Sequence, residues 1–302
     1  MVQAEPHGPF VAKPGGGPLN IAVGLARLGH PTELKARLST SPLAAVIRDH
    51  AMNNNVGLAS CVDTPDQTTL AFAALDDDGR ATYEFYVQGT ADWGWTSDEL
   101  AGLPTGTVAL HTGSLAAAVA PGADVLLELW QQLAAEGALL LSYDPNVRPD
   151  LAGSRASAVQ RVERFVGSSH LVKASDEDLS WLYPDAGCLD VVRRWTTMGP
   201  ELVVMTRGVD GCVAVQAGGE LMELAGVRVD VVDTIGAGDS FEAGLLSGLA
   251  DGSCLAPGAI AQQPVEALRA VLQRAIDVSA MTCERVGAEP PTRTSYDAIR
   301  SA

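Results

Sequence analysis

The sequence predicts an α/β fold, a doubly wound, mainly parallel sheet flanked by helices, with a small β lid. Two observations carry this. Short apolar runs alternate with helical patterns beyond about residue 105, the order that builds parallel sheets covered on both faces. Before that point two strand-like runs, 68–75 and 81–87, flank Asp76-Asp77-Asp78-Gly79-Arg80, and an Asp-Gly turn between such runs marks a hairpin lying outside the sheet. Those aspartates lack the alternate spacing and closing Glu of a calcium loop.

The elements follow in order. Residues 1–14 hold Pro6, Gly8, Pro9 and Pro14 and fit an edge strand or loop. Gly15-Gly16-Gly17-Pro18 then leads into a helical pattern at 19–28 closed by Gly29, with Pro at the start and Gly past the end as helices prefer. Strands are expected at 107–111, 138–143, 170–173, 202–206, 212–216 and 227–232. Helices are expected near 122–136, 154–166, 176–183, 188–198, 239–250 and 264–281, ahead of a Pro-rich tail. No repeat or linker divides the chain, so residues 1–302 read as a single domain with lid strands around 8–14 and 68–88.

Composition excludes several classes. Hydrophobic residues make up 47% of the chain, enough for a sizeable core. A net charge of −17 repels phosphate backbones, so nucleic acid is not an expected partner, and a bound nucleotide needs local donors or metal ions. Cys61, Cys188, Cys212, Cys254 and Cys283 are scattered, without a C-x-x-C pair, which fits a reducing compartment. No signal pattern and no long uncharged apolar stretch occurs, so the expectation is cytoplasmic, without a membrane partner. Neither a G-x-x-x-x-G-K-[ST] loop nor a G-x-G-x-x-G after a strand is present, which argues against P-loop and dinucleotide enzymes. Gly238-Asp239-Ser240 could suggest a hydrolase, but that chemistry needs a His base and none follows His170.

The chemistry concentrates in Thr234-Ile235-Gly236-Ala237-Gly238-Asp239, between an expected strand and an expected helix. Small residues let the chain turn so that several N–H groups aim at one spot, and a helix N-terminus there favours an anion such as a transferring phosphoryl group. Asp239 beside that spot can accept a proton from an attacking hydroxyl. The same residues fit, equally well on physics alone, an ordinary turn with Asp239 as a capping carboxylate.

The wider segment Asp233-Thr234-Ile235-Gly236-Ala237-Gly238-Asp239-Ser240-Phe241, with Gly244, resembles the C-terminal signature of the ribokinase-like (PfkB) carbohydrate kinases, and the resemblance extends over almost the whole chain. It implies ATP-dependent transfer of a phosphoryl group to a sugar hydroxyl, with Asp239 as base and Gly236, Ala237 and Gly238 forming the anion hole. Mg²⁺ would bridge the phosphates. Gly15-Gly16-Gly17-Pro18-Leu19-Asn20 is similar to the family's sugar-binding motif, which assigns Gly15 and Gly16 to close approach of the sugar and Asn20 to its hydroxyls. The hairpin would be the lid, with Tyr86 and Asp92 as sugar contacts.

Asp144-Pro145-Asn146-Val147-Arg148 resembles the family's Asp-x-Asn-x-Arg stretch, which places Arg148 on substrate. Lys173, Thr206, Gly208 and Gly211 fall where relatives line the nucleotide. Ser175 and Asp178 replace an Asn-x-x-Glu pair, so an indirect Mg²⁺ role for Asp178 competes with a capping box. Asp233 and the carbonyl of Ile235 correspond to a monovalent-cation (K⁺) site of some members. Thr68–Phe72, Gly89–Asp92 and Asp144–Asn146 look most like bacterial fructokinases; 2-keto-3-deoxygluconate, ribose or a nucleoside as acceptor, or a non-catalytic sugar- or nucleotide-binding relative, are the alternatives. Relatives form dimers through the lid, so a homodimer stays open.

One departure stands out. The family begins with a buried strand whose end carries an Asp that holds the sugar, whereas here no apolar run precedes the first glycine motif and no Asp precedes Asp49. The expectation is a chain lacking its first core strand, with an exposed sheet edge, a hydrophobic slot beside it and weak sugar affinity. Ser39 and Ser41 also stand where relatives often carry Gly and Asp.

Overall fold

The computed structural model describes residues 2–4, 11–75 and 81–300. In chain order the elements are β1 (Val2–Ala4), β2 (Val11–Ala12), α1 (Gly17–Arg27), β3 (Thr32–Glu33), β4 (Arg37–Ser39), α2 (Pro42–Asn53), β5 (Val56–Gly57), β6 (Val62–Thr64), β7 (Leu70–Leu75), β8 (Ala81–Tyr86) and α3 (Ser97–Leu100). There follow β9 (Ala109–Gly113), α4 (Gly122–Glu136), β10 (Leu140–Asp144), α5 (Arg155–Val166), β11 (Leu171–Ser175), α6 (Asp176–Leu182), α7 (Cys188–Thr196), β12 (Leu202–Thr206), β13 (Cys212–Gln216), β14 (Leu221–Leu224), α8 (Ala237–Asp251), α9 (Val265–Cys283) and α10 (Arg293–Arg300).

The main sheet is six-stranded in the order β14-β13-β12-β11-β10-β9. β9 to β12 run parallel, and β13 and β14 add antiparallel. Alternate residues feed separate cores, as the pleat requires. Leu141, Tyr143, Val172 and Val203 pack with Trp130, Phe165 and Trp195 on one face, while Leu140, Leu171, Leu202 and Val204 meet Phe241, Leu245 and Leu272 on the other. Each fully buried large side chain contributes roughly 1.5–3 kcal/mol, so both layers are needed to hold the sheet.

A second sheet, ordered β2-β1-β7-β8, forms the lid, with β7 and β8 as its antiparallel hairpin and β1 parallel to β7. The 76–80 turn and the 8–10 end of the other expected lid strand lie outside the described residues. Parallel pairs β3–β5 and β4–β6 stand apart. Among the described residues β9 pairs with β10 alone, and a cavity of about 590 Å³ lined by Ile21, Leu25, Leu34, Trp95, Leu110 and Leu246 lies beside it.

The structure corrects the sequence reading at two elements. No strand covers 227–232; the last strand is β14 at 221–224. Gly226 turns the chain away, for a Cβ there would lie 2.2 Å from the Val209 carbonyl oxygen. Val227, Val231 and Val232 are accordingly exposed, at 44%, 55% and 58%. The Pro-rich tail also holds a helix, α10, which buries Tyr296 against Leu28, Val278 and Met281. α2 was not expected either.

Helices α1 and α8 set the site. They pack so closely that a Cβ on Gly24 would sit 2.6 Å from Ala243 Cβ. Gly24→Val is expected to destabilise the protein by about 1–3 kcal/mol through overpacking. The urea midpoint should fall at unchanged m-value; an unchanged midpoint would show that the helices can part freely.

Candidate active site

The turn before α8 is built by side chains that tie its backbone down. Asp233 Oδ1 accepts the Ile235 N–H at 2.9 Å and Oδ2 accepts the Gly287 N–H at 2.8 Å, which clasps the turn to the loop after α9. Gly236 takes a left-handed φ of +77°, and a Cβ there would meet Ala288 Cβ at 2.5 Å, so glycine is required on both counts. The Ala237 N–H donates to the Thr234 carbonyl at 3.2 Å. The N–H groups of Gly236, Gly238 and Asp239 have no partner among the described residues. The free donors of the turn are therefore these, and Ala237, expected with Gly236 and Gly238 in the anion hole, turns its N–H back on the loop.

Asp239 is 8% exposed in the first turn of α8. Asn20 Nδ2 donates to its Oδ2 at 2.7 Å across the α1–α8 interface. A Cβ on Gly17 would lie 3.3 Å from Asp239 Oδ1 and 3.7 Å from both Asn146 Nδ2 and Ser114 Cβ. The first glycine motif, the turn after β10 and the turn after β9 thus converge on the carboxylate. Gly17, Asn146 and Ser114 were not singled out as site residues; Ser114, at φ +53°, is marked only by the Gly113-Ser114 pair that ends a strand. In front of Gly15 and Gly16 a Cβ would find nothing within 4 Å, so a sugar can reach their backbone.

Behind the turn lies a buried polar layer. Lys173 Nζ donates to Asp144 Oδ2 at 2.8 Å, with 4% and 2% of the two side chains exposed. A Cβ on Gly238 would meet the same Nζ at 3.2 Å, so the ammonium sits against this turn. Burial pushes the Asp144 carboxyl up to about 6 against the pull of Lys173, while Asp144 keeps Lys173 charged despite burial of its ammonium. Lys173, placed by resemblance on the nucleotide, lies beside Asp144 and Gly238. Asp178 accepts from the Val147 N–H at 2.7 Å and from the Ser175 N–H at 2.9 Å, and the capping box with Ser175 is complete. Arg148 Nη1 donates to Asn146 Oδ1 at 2.6 Å and so stiffens the loop that holds Asn146.

On the lid, Asp92 accepts a hydrogen bond from Thr69, whose Oγ1 also lies 2.6 Å from Thr90 Oγ1. Burial raises the Asp92 carboxyl above its ordinary value. Tyr86 is 51% exposed, donates to Glu84 Oε1 at 2.9 Å and meets Phe72 edge to face. Neither is brought to Asp239 by any contact in the structure.

The residues that the resemblance assigns to the nucleotide form a separate cluster. Thr206 ends β12, and Gly208 and Gly211 shape the turn into β13, both at positive φ. Val209, Val227, Val231, Val232 and Val286 are exposed on this turn and the loops beyond it, and of these Val227, Val231 and Val232 fall in the strand the sequence had predicted. Among the described residues no three His, Cys, Asp or Glu side chains gather as a metal cage. Asp178, with its oxygens taken by backbone and Ser175 donors, fits a metal only through water. Asp233 acts here as the loop clasp. No helix among the described residues is long and apolar enough to cross a membrane.

The family described as pfkB family carbohydrate kinase matches residues 6–295. A fructokinase of Rhizobium leguminosarum bv. trifolii is 33% identical over 260 residues, 86% of this chain and 78% of that protein. A fructokinase of Salmonella typhimurium is 31% identical over 251 residues, 82% and 80% of the two. Among solved structures, the Xylella fastidiosa fructokinase with bound ATP superimposes with a TM-score of 0.88 at 26% identity, covering 100% of this chain and 96% of that one. The Vibrio cholerae O395 fructokinase bound to fructose, ADP and calcium ion shares the fold at a TM-score of 0.83 and 23% identity, covering 98% and 94%.

Proposed function

The chain belongs to the pfkB family of carbohydrate kinases, and we propose that it transfers the γ-phosphoryl group of ATP to a primary hydroxyl of fructose. One observation carries the reading: the Asp239 carboxylate lies against Gly17, where Asn146 and Ser114 also approach, and it follows a turn whose Gly236 and Gly238 N–H groups have no partner among the described residues. A sugar lying against Gly15 and Gly16 presents a hydroxyl to Asp239, which Asn20 holds in place. Asp239 takes the hydroxyl proton as the bond to phosphorus forms. The Gly236 and Gly238 N–H groups, with the Lys173 ammonium behind them, stabilise charge on the phosphoryl oxygens, where a loose transition state leaves most of it.

The exposed valines around Gly208–Gly211 suit the flat base of a nucleotide. Mg²⁺ bound to the phosphates would offset their charge, with Asp178 reaching it through water; K⁺ would draw on loop carbonyls such as that of Ile235. Tyr86 and Asp92, carried by the lid, would close on the sugar and exclude water, and Arg148 would brace the Asn146 loop. Fructose is favoured because the similar proteins named above are fructokinases.

An assay coupled to ADP formation, run with fructose, ribose, 2-keto-3-deoxygluconate and a nucleoside, tests this. The highest kcat/KM is expected with fructose. A tenfold preference for another acceptor would overturn the substrate, and ligand binding without turnover would overturn the kinase reading.

A further inference from the structure

The sheet face beneath α8 is apolar except for one row. Ala109, Leu140, Leu171, Leu202 and Val204 belong to the core there. Across the same face lie His111 on β9, Ser142 and Asp144 on β10 and Lys173 on β11, and Glu242 comes down on them from α8. Ser142 Oγ donates to Glu242 Oε1 at 2.6 Å, the short length of a hydroxyl on an ionised carboxylate. With that proton spent, His111 Nδ1 is the donor in its 2.9 Å contact with Ser142 Oγ, and it lies 3.4 Å from Glu242 Oε1 as well.

Glu242 is 0% exposed, and its Oε2 has no hydrogen-bond partner among the described residues. As a clamp between helix and sheet this is a poor choice, because an apolar side chain would hold the same interface without desolvating a charge. Burial alone would push the Glu242 carboxyl up; His111, Ser142 and Lys173 together hold it below its usual value. Lys173 makes its ion pair with Asp144, two residues along β10 from Ser142, and it is the group pressed against Gly238. Glu242 follows Asp239 by three residues, so both carboxylates leave the same side of α8.

We propose that Glu242 is a positioning residue for phosphoryl transfer: bonded to Ser142, which shares a face of β10 with the Asp144 that pairs with Lys173, it backs the Asp144–Lys173 pair beneath the Gly236–Gly238 turn. His111 and Ser142 keep Glu242 from swinging away. The proposal rests on the kinase reading given above. It also makes Glu242 a like-charged neighbour of Asp144, alongside Asp178 from α6 and opposite Lys173 from β11.

Glu242→Gln in the full chain tests it, with Ser142→Ala as the companion variant that frees Glu242 without removing its charge. For Glu242→Gln, kcat is expected to fall about tenfold, with KM for sugar and ATP within about twofold. The acid limb of the kcat profile should move to lower pH as Asp144 loses a repelling neighbour, and the urea midpoint should not drop. Ser142→Ala should lower kcat with the acid limb unmoved. A Glu242→Gln enzyme with the wild-type kcat and acid limb, whatever its stability, overturns the proposal and leaves a clamp. If Glu242→Gln does not fold, an unchanged kcat in Ser142→Ala overturns it instead. Absence of turnover in the wild type with every sugar is a different result, which sinks the kinase reading and this inference with it.

Discussion

Asp239→Ala is expected to lower kcat about 100-fold or more while the KM for sugar stays within about threefold. A positioned general base contributes roughly 10²–10⁴. The lower end applies here, because a loose phosphoryl transition state asks more of charge stabilisation than of proton removal. The unpartnered N–H groups of Gly236 and Gly238 and the ammonium of Lys173 survive the substitution, and they carry that larger share. A 100-fold loss corresponds to about 2.7 kcal/mol of transition-state stabilisation. Alanine also leaves Asn20 Nδ2 without its acceptor, so Asp239→Asn is the better isostere: it removes the base and keeps an oxygen for Asn20. Both variants should lose kcat to a similar degree, with Asp239→Asn showing the smaller change in KM. Turnover of the alanine enzyme within about threefold of wild type would remove Asp239 from its role.

What the sequence revealed of this site follows the range of the interactions that build it. β12 and β13 have the predicted bounds, 202–206 and 212–216, because their residues are buried on both faces and read as continuous apolar runs. The Gly236 turn was legible because its positive φ and its closeness to Ala288 admit glycine alone, and the Ser175–Asp178 capping box because it spans four consecutive residues. The valines at 227–232 misled for a physical reason. Alternation with polar residues is the mark of a half-buried strand, but Gly226 had already turned the chain out of the sheet, and the same valines serve a surface. The layer behind the turn was the least visible. Glu242 meets Ser142 across 100 residues of sequence and Ser142 meets His111 across 31, and no local pattern marks three polar residues that only the strand order makes neighbours.

Lys173→Met should show how much that layer weighs. Methionine keeps length and volume, so the loss is chiefly of charge, leaving Asp144, 1% exposed, without its ion-pair partner and the fully buried Glu242 without a nearby positive charge. Breaking a buried pair by removing one partner costs about 3–5 kcal/mol. The sign of its pH dependence follows from Asp144. Its carboxyl is already raised from 3.8 to about 6 by burial, with Lys173 opposing the rise, so removing Lys173 raises it further. A carboxyl with a raised folded value is protonated in both states at low pH and incurs its penalty only as pH climbs from the unfolded value through the folded one. The stability deficit of Lys173→Met, measured by urea unfolding, should therefore be smaller at pH 5 than at pH 8. Lys173 in the wild type runs the other way: held charged by Asp144, its share of stability is complete below the ordinary lysine value of 10.5 and lost only above it. Turnover should not recover with stability. At pH 5 the variant has a neutral Asp144 but still no positive charge behind Gly238, so kcat relative to wild type at the same pH should remain at least tenfold down. An equal stability deficit at both pH values would mean that Asp144 does not carry the cost, and kcat recovering in step with stability would mean that Lys173 serves the fold alone.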